Sequence, residues 1–171
     1  METIFDILQG KRCCTVAFTG RRSYRGEVDE ELCHVVRDLY ERGFTRFLCG
    51  MSWGFDLAAG RAVMELQMEF ADVDLVAVEP FEGFRELFSG EDGELYDRVL
   101  VAATEHVVVS DEEGAVAYMR RNDYLVDNAS VVVAWWEREM HGGTAYTVRR
   151  AQRSRVEVVN LYPDTQLELE F

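Results

Sequence analysis

The chain is short of positive charge and carries none of the compact catalytic or metal-binding signatures. Lysine and arginine number 18 against 32 aspartates and glutamates, giving the 171 residues a formal charge of -14 and a pI near 4.6. A field of that sign repels a phosphate backbone, the attraction on which most nucleic-acid binders depend, so nucleic acid is not an expected partner. No apolar stretch reaches 18 residues, and METIFDILQGKR lacks a basic segment followed by a long apolar one. Neither a membrane span nor an export signal is expected, and the chain reads as cytoplasmic. Cys13, Cys14, Cys33 and Cys49 form no C-x-x-C and no histidine pairing at finger spacing; they read as buried, reduced thiols, with no metal site. His34, His106 and His141 are scattered, and no G-x-S-x-G elbow or cysteine–histidine signature supports a covalent nucleophile.

What is present is a large apolar complement. Apolar residues make up 48%, with ten Phe, seven Tyr and three Trp, enough to bury a full core, and one domain over residues 1–171 is expected. Short apolar runs alternate with helical patterns: CCTVAFTG, FTRFLCG, VDLVAVEPF, EHVVVS, SVVVAWW and VEVVNLY read as strands. VDEELCHVVRDLYERG turns Leu32, Val35, Val36, Leu39 and Tyr40 to one face, with acids early and Gly43 as a stop. FDLAAGRAVMELQMEFA does the same with Ala59, Ala62, Val63, Leu66 and Phe70. Residues 82–94 read as a loop or short irregular helix, and QLELEF as a frayed end or edge strand. Apolar strands separated by helices predict a three-layer, doubly wound Rossmann-like fold, its mostly parallel sheet of about six strands filling residues 13–162.

Ligands of such sheets sit outside the carboxyl ends of the strands, where strand order reverses. Three strand ends carry suitable residues. TGRR (Thr19 to Arg22) offers a hydroxyl, a glycine and two guanidinium forks suited to phosphate, or else a solvated basic turn. GMSWGFD offers Ser52 or Asp56 as a helix cap and Gly50 and Gly54 for close approach; a purely structural turn fits equally, since neither G-x-G-x-x-G nor a P-loop is present. HGGT (His141 to Thr144) opens another helix, with Thr147 one turn on. In MRRNDYLVD the helical period separates Arg120, Asp123 and Asp127 from Arg121 and Leu125; Arg120 with Asp123 reads as a surface ion pair, and Arg121 or Asn122 as the residues aimed at a cleft. Trp53, Trp135 and Trp136 read first as packing, with a stacking role open to them.

Taken in order, TGRR, CGMSWGFDLAAGRAV, EPF, RRNDYLVDNASVVVAWW and GGTAYTVRRA resemble the YpsA-like branch of the SLOG superfamily, which includes DprA-type and LOG-type Rossmann proteins. The resemblance spans about Cys13 to Tyr162. It implies a domain whose glycine loops bind a nucleotide or an ADP-ribose-like derivative through Thr19, Gly20 and Arg21; Gly50, Ser52, Gly54 and Asp56; Glu79; Arg121 and Asn122; and Gly142, Gly143 and Thr144. It also implies a homodimer. LOG-type enzymes resemble P-G-G-x-G-T-x-x-E at the last loop, whereas MHGGTAYTVRR has no glutamate there. The expectation is a nucleotide sensor or regulator without strong catalysis. A phosphoribohydrolase drawing on Glu79, Asp56 or Asp123 is the alternative, and an interaction module with a filled pocket is the third reading.

Overall fold

The computed structural model describes residues 3–164. Helix α1 (Ile4–Cys13) precedes β1 (Thr15–Gly20), and the chain continues through α2 (Asp29–Glu41), β2 (Arg46–Cys49), α3 (Phe55–Glu69) and β3 (Asp74–Glu79). A short 3-10 helix (Phe84–Leu87) leads to α4 (Gly90–Ala102), β4 (Glu105–Val108), α5 (Ala115–Asp127), β5 (Val131–Trp135), α6 (Gly143–Arg153) and β6 (Glu157–Asn160). All six strands are parallel in the order β4-β3-β2-β1-β5-β6. The doubly wound, three-layer expectation therefore holds.

The period of two along each strand sorts the apolar side chains onto two faces. Val16, Phe18, Phe47, Cys49, Leu75, Ala77, Val131, Val133 and Trp135 face one cluster, which α2, α3 and α4 cover with Leu32, Val36, Leu39, Val63, Leu66, Tyr96 and Val99. Ala17, Leu48, Val76, Val78 and Val132 face the other, covered by Leu125, Val126 and Ala151 of α5 and α6. Burial on both faces is why these strands read as unbroken apolar runs.

Several boundaries differ from the sequence reading. Cys13 ends α1 and Cys14 lies in the turn after it, because the Thr15 hydroxyl and the Cys14 thiol both donate to the Lys11 carbonyl and close the helix. Of the thiols expected to be buried, Cys49 is; Cys13 is exposed and the other two are half-buried, all of them free. Helix α4 begins at Gly90, inside the segment read as irregular, and its Glu91 and Asp92 occupy the first turn, where a helix favours acids. Val35, Tyr40 and Phe70 are only half-buried, while α3 also buries Phe55, Asp56, Leu57, Ala58 and Gly60. The expected QLELEF strand or frayed end lies outside the described residues. No described helix is long and apolar enough to cross a membrane.

Candidate functional site

Strand order reverses between β1 and β5, whose register pairs Gly20 with Trp135 at the carboxyl end. The loops leaving these two strands part there and enclose a cavity of about 550 Å³. Its wall includes Thr19 to Ser23 at the end of β1 and beyond it, Ser52 and Asp56 after β2, Tyr118, Arg121, Asn122 and Leu125 of α5, and Glu139 with His141 to Thr144 leading into α6. Gly50, Gly54 and Glu79, the other positions implied by the resemblance, do not border it.

The glycines after β1 and β2 serve packing. A Cβ on Gly20 would stand 2.4 Å from the Phe55 side chain; on Gly54, at φ 73°, it would stand 2.6 Å from the Arg22 carbonyl oxygen. Gly50 clears room for the Asp56 carboxylate, 2.8 Å from where its Cβ would be. Neither Ser52 nor Asp56 caps α3, whose N-cap is Gly54. The Ser52 N–H instead donates to Asp56 Oδ2 at 3.3 Å, tying the loop to the first turn of the helix. Gly142 differs: its φ is 101° and no atom lies within 4 Å of a built Cβ, so this glycine supplies a backbone conformation at an open edge.

Arg121 is the buried cation of the site, with only 7% of its surface exposed. Its Nη1 donates to the Gly50 carbonyl at 2.7 Å and to the Ser52 hydroxyl at 2.9 Å, and its Nε to Asn122 Oδ1 at 3.1 Å. Three of its N–H groups are thus used; the pair on Nη2 meets no acceptor among the described residues. Burial lowers the guanidinium from its ordinary value, opposed by Asp56 and reinforced by Arg22. Burial likewise raises the Asp56 carboxyl to about 6, against the pull of Arg121, the Ser52 N–H and Arg22.

Facing them is the N-terminus of α6. Its first intrahelical bond runs from the Tyr146 N–H to the Gly142 carbonyl, leaving the amides of Gly143, Thr144 and Ala145 ahead of it. Thr19, Asn122 and Thr144 are buried residues, yet the two hydroxyls and the Asn122 Nδ2 group make no hydrogen bond with the described residues. Among the described residues Arg22 has no carboxylate partner; its guanidinium lies over Trp53 at 4.9 Å and Tyr118 at 5.4 Å. Arg21 pairs with Glu137. Uncommitted donors therefore converge from three chain segments.

Other expectations resolve differently. The Arg120–Asp123 pair does not form: Asp123 and Asp127 face Arg150 of α6 at 3.1 and 2.7 Å, and the Tyr146 hydroxyl donates to Asp123. Glu79 accepts from the Tyr96 hydroxyl beneath α4, away from the cavity. Thr147 is fully buried and donates to the Gly143 carbonyl, so it does not face the site. Trp135 packs edge-on to Tyr24 within the core, and the half-buried Trp53 stacks on Phe88 at 4.0 Å against it. Tyr118, Ser23 and Glu139 escaped the sequence reading. The signal for Tyr118 was its position one turn before Arg121 and Asn122 on α5.

The fold and this cavity define a doubly wound parallel α/β protein with a polar site at its topological switch point. The family model described as the YspA SLOG family matches residues 17–168, and the chain belongs to that family. A UPF0398 protein of Bacillus licheniformis is 24% identical over 136 residues, 74% of each chain, and one of Bacillus pumilus is 24% identical over 127, 73% of this chain and 68% of that one. Among solved structures, DNA processing protein A (DprA) of Streptococcus pneumoniae matches with a TM-score of 0.66 at 19% identity, over 94% of this chain. This chain spans about half, 53%, of the pneumococcal protein's length. DprA of Helicobacter pylori, whose structure describes a single-stranded DNA binding mode, matches with a TM-score of 0.65 at 14% identity, over 93% of this chain and 69% of that one. These neighbours share the fold. They lend no support to the expectation, drawn from net charge, that nucleic acid is not a partner.

Proposed function

We propose that this protein binds a nucleotide or nucleotide-derived ligand at the switch-point cavity and acts as a sensor or regulator through it. The single observation that carries the reading is Arg121: a buried residue whose guanidinium is held in place by Gly50 and Ser52 while its two Nη2 N–H groups stay uncommitted at the cavity shared with the α6 N-terminus. A cation and a helix N-terminus converging on one space suit an anion with oxygens on several sides, which is the form of a phosphate. The volume of about 550 Å³ fits a nucleotide-sized molecule. Of the three acids considered for hydrolysis, Glu79 and Asp123 lie off the cavity, and Asp56, which borders it, is held by the Ser52 N–H. For these three acids the arrangement favours binding over chemistry.

Calorimetric titration with AMP, ADP-ribose, NAD, cyclic nucleotides, inorganic phosphate and a short single-stranded DNA tests this. At least one mononucleotide-bearing ligand binds the wild type saturably, and Arg121→Lys weakens it tenfold or more. Heat signals absent for every phosphate-bearing ligand would overturn the reading. Tight binding of the oligonucleotide alone would transfer it to nucleic acid, and release of free base from AMP above a heat-killed control would transfer it to hydrolysis.

A further inference from the structure

Among the cavity's cations and N–H groups stands one side chain of the opposite character. Glu139 borders the cavity, and its Oε2 is buried without a hydrogen-bond donor among the described residues. No arginine lies within ion-pair distance of it, although Arg21, Arg22 and Arg121 border the same space. Oε2 is closed to solvent as it stands, and a turn of the carboxylate into the cavity, where a ligand could donate to it, would relieve the cost of a buried oxygen without a donor. The loop that carries it is set in place: the Trp136 indole N–H donates to the Glu139 carbonyl at 3.1 Å, and Arg149 donates to the Met140 carbonyl at 2.7 Å. Arg138, just before it, takes a left-handed φ of 67°, an uncommon conformation for a non-glycine residue.

A carboxylate repels phosphate oxygens, so Glu139 cannot belong to the phosphate cradle itself. It accepts only, and its two oxygens suit two neighbouring hydroxyl donors. It precedes His141 to Thr144 on the same short loop, so whatever meets it is covalently close to the group on the α6 N-terminus. In a nucleotide that neighbouring unit is the sugar.

We propose that Glu139 recognises the sugar of the bound ligand, its carboxylate accepting from the vicinal hydroxyl pair of a ribose whose phosphate rests on the α6 N-terminus and Arg121. This rests on the nucleotide reading above and specifies its ligand class: a phosphorylated ribose with both hydroxyls free, in preference to a deoxyribose.

The test is titration of wild type, Glu139→Gln and Glu139→Ala with AMP, 2'-deoxy-AMP, ribose 5-phosphate and inorganic phosphate, with thermal melting to verify folding. Wild type binds AMP about tenfold tighter than 2'-deoxy-AMP, the worth of one charge-assisted hydrogen bond. Both variants erase that preference by weakening AMP, while 2'-deoxy-AMP changes less than twofold and inorganic phosphate binds as well or better once the negative charge is gone. Equal affinity of the wild type for the two sugars, or equal loss of both in the variants, overturns the role of Glu139 and leaves the phosphate cradle standing. Absence of binding by phosphate and every phosphorylated sugar overturns both proposals together.

Discussion

The Arg121 guanidinium of α5 donates to the Ser52 hydroxyl at the end of β2, joining residues 69 apart in the chain. The same nitrogen holds the Gly50 carbonyl, and the Ser52 amide holds Asp56 in turn. One buried cation thus fixes the loop after β2, the first turn of α3 and one wall of the cavity. Stability and ligand binding meet in that network.

Removing the cation leaves the buried Asp56 carboxyl and the Gly50 and Ser52 acceptors uncompensated. Arg121→Ala is expected to cost about 3 kcal/mol or more in urea denaturation. Arg121→Lys keeps a charge but loses the fork and costs about 1–2 kcal/mol. A lysine variant as unstable as the alanine variant would mean that the fork geometry, rather than the charge, holds the loop.

The glycines separate by mechanism. Gly54→Ala forces a Cβ against the Arg21 and Arg22 carbonyls at a positive φ and is expected to cost roughly 2–6 kcal/mol, combining backbone strain with overpacking. Gly142→Ala meets no atom and pays strain alone, about 1–3 kcal/mol. Urea midpoints of the two variants rank them; the reverse order would place the tighter packing at α6.

Asp56 gives a pH dependence whose sign follows from its buried carboxyl. The folded state raises this group from 3.8 to about 6, so it holds its proton more tightly than the unfolded chain does. Its contribution to stability is present below about pH 4 and is lost as the pH climbs through about 6. Because Glu69, Asp97 and Glu105 shift downward through their arginine partners and act in the opposite sense, the measurement is the stability of wild type minus that of Asp56→Asn. That difference should fall between pH 4 and 6 and flatten above. A flat difference throughout would show that Arg121 offsets the burial of Asp56 completely.

Glu79 tests the border of the site. It pairs with Tyr96 and does not line the cavity, so Glu79→Gln is expected to leave AMP affinity within twofold. Tyr96→Phe should cost about 1 kcal/mol of stability, the worth of one hydrogen bond. A tenfold loss of affinity in Glu79→Gln would extend the site beneath α4.

Much of this was legible along the chain. The strands of β1, β2, β3 and β5 announce themselves as apolar runs because both faces of the sheet are covered, and Gly43, with its φ of 100°, marks the end of α2. Thr19, Ser52 and Thr144 were legible as strand-end or helix-start residues and Arg121 and Asn122 as helix residues aimed at a cleft, and they do meet at one cavity. Helix α1 was not read, and the opening of α4 was read as irregular because Gly90 and Gly93, both poor helix formers, lie in its first turn despite the Ser89 cap ahead of them.

The sequence by itself determined the alternation of strands and helices, because hydrophobic periodicity is a local property of each segment. Which glycine is demanded by packing and which by an open edge was decided only by tertiary structure, since the Gly20–Phe55 and Gly54–Arg22 contacts join separate loops. The same is true of Asp123, which turns from its helical neighbour Arg120 to Arg150 once α5 lies against α6. Glu139 stands in the sequence as one more acid among 32; only the fold brings it to the cavity that three arginines also border and leaves its buried oxygen without a donor.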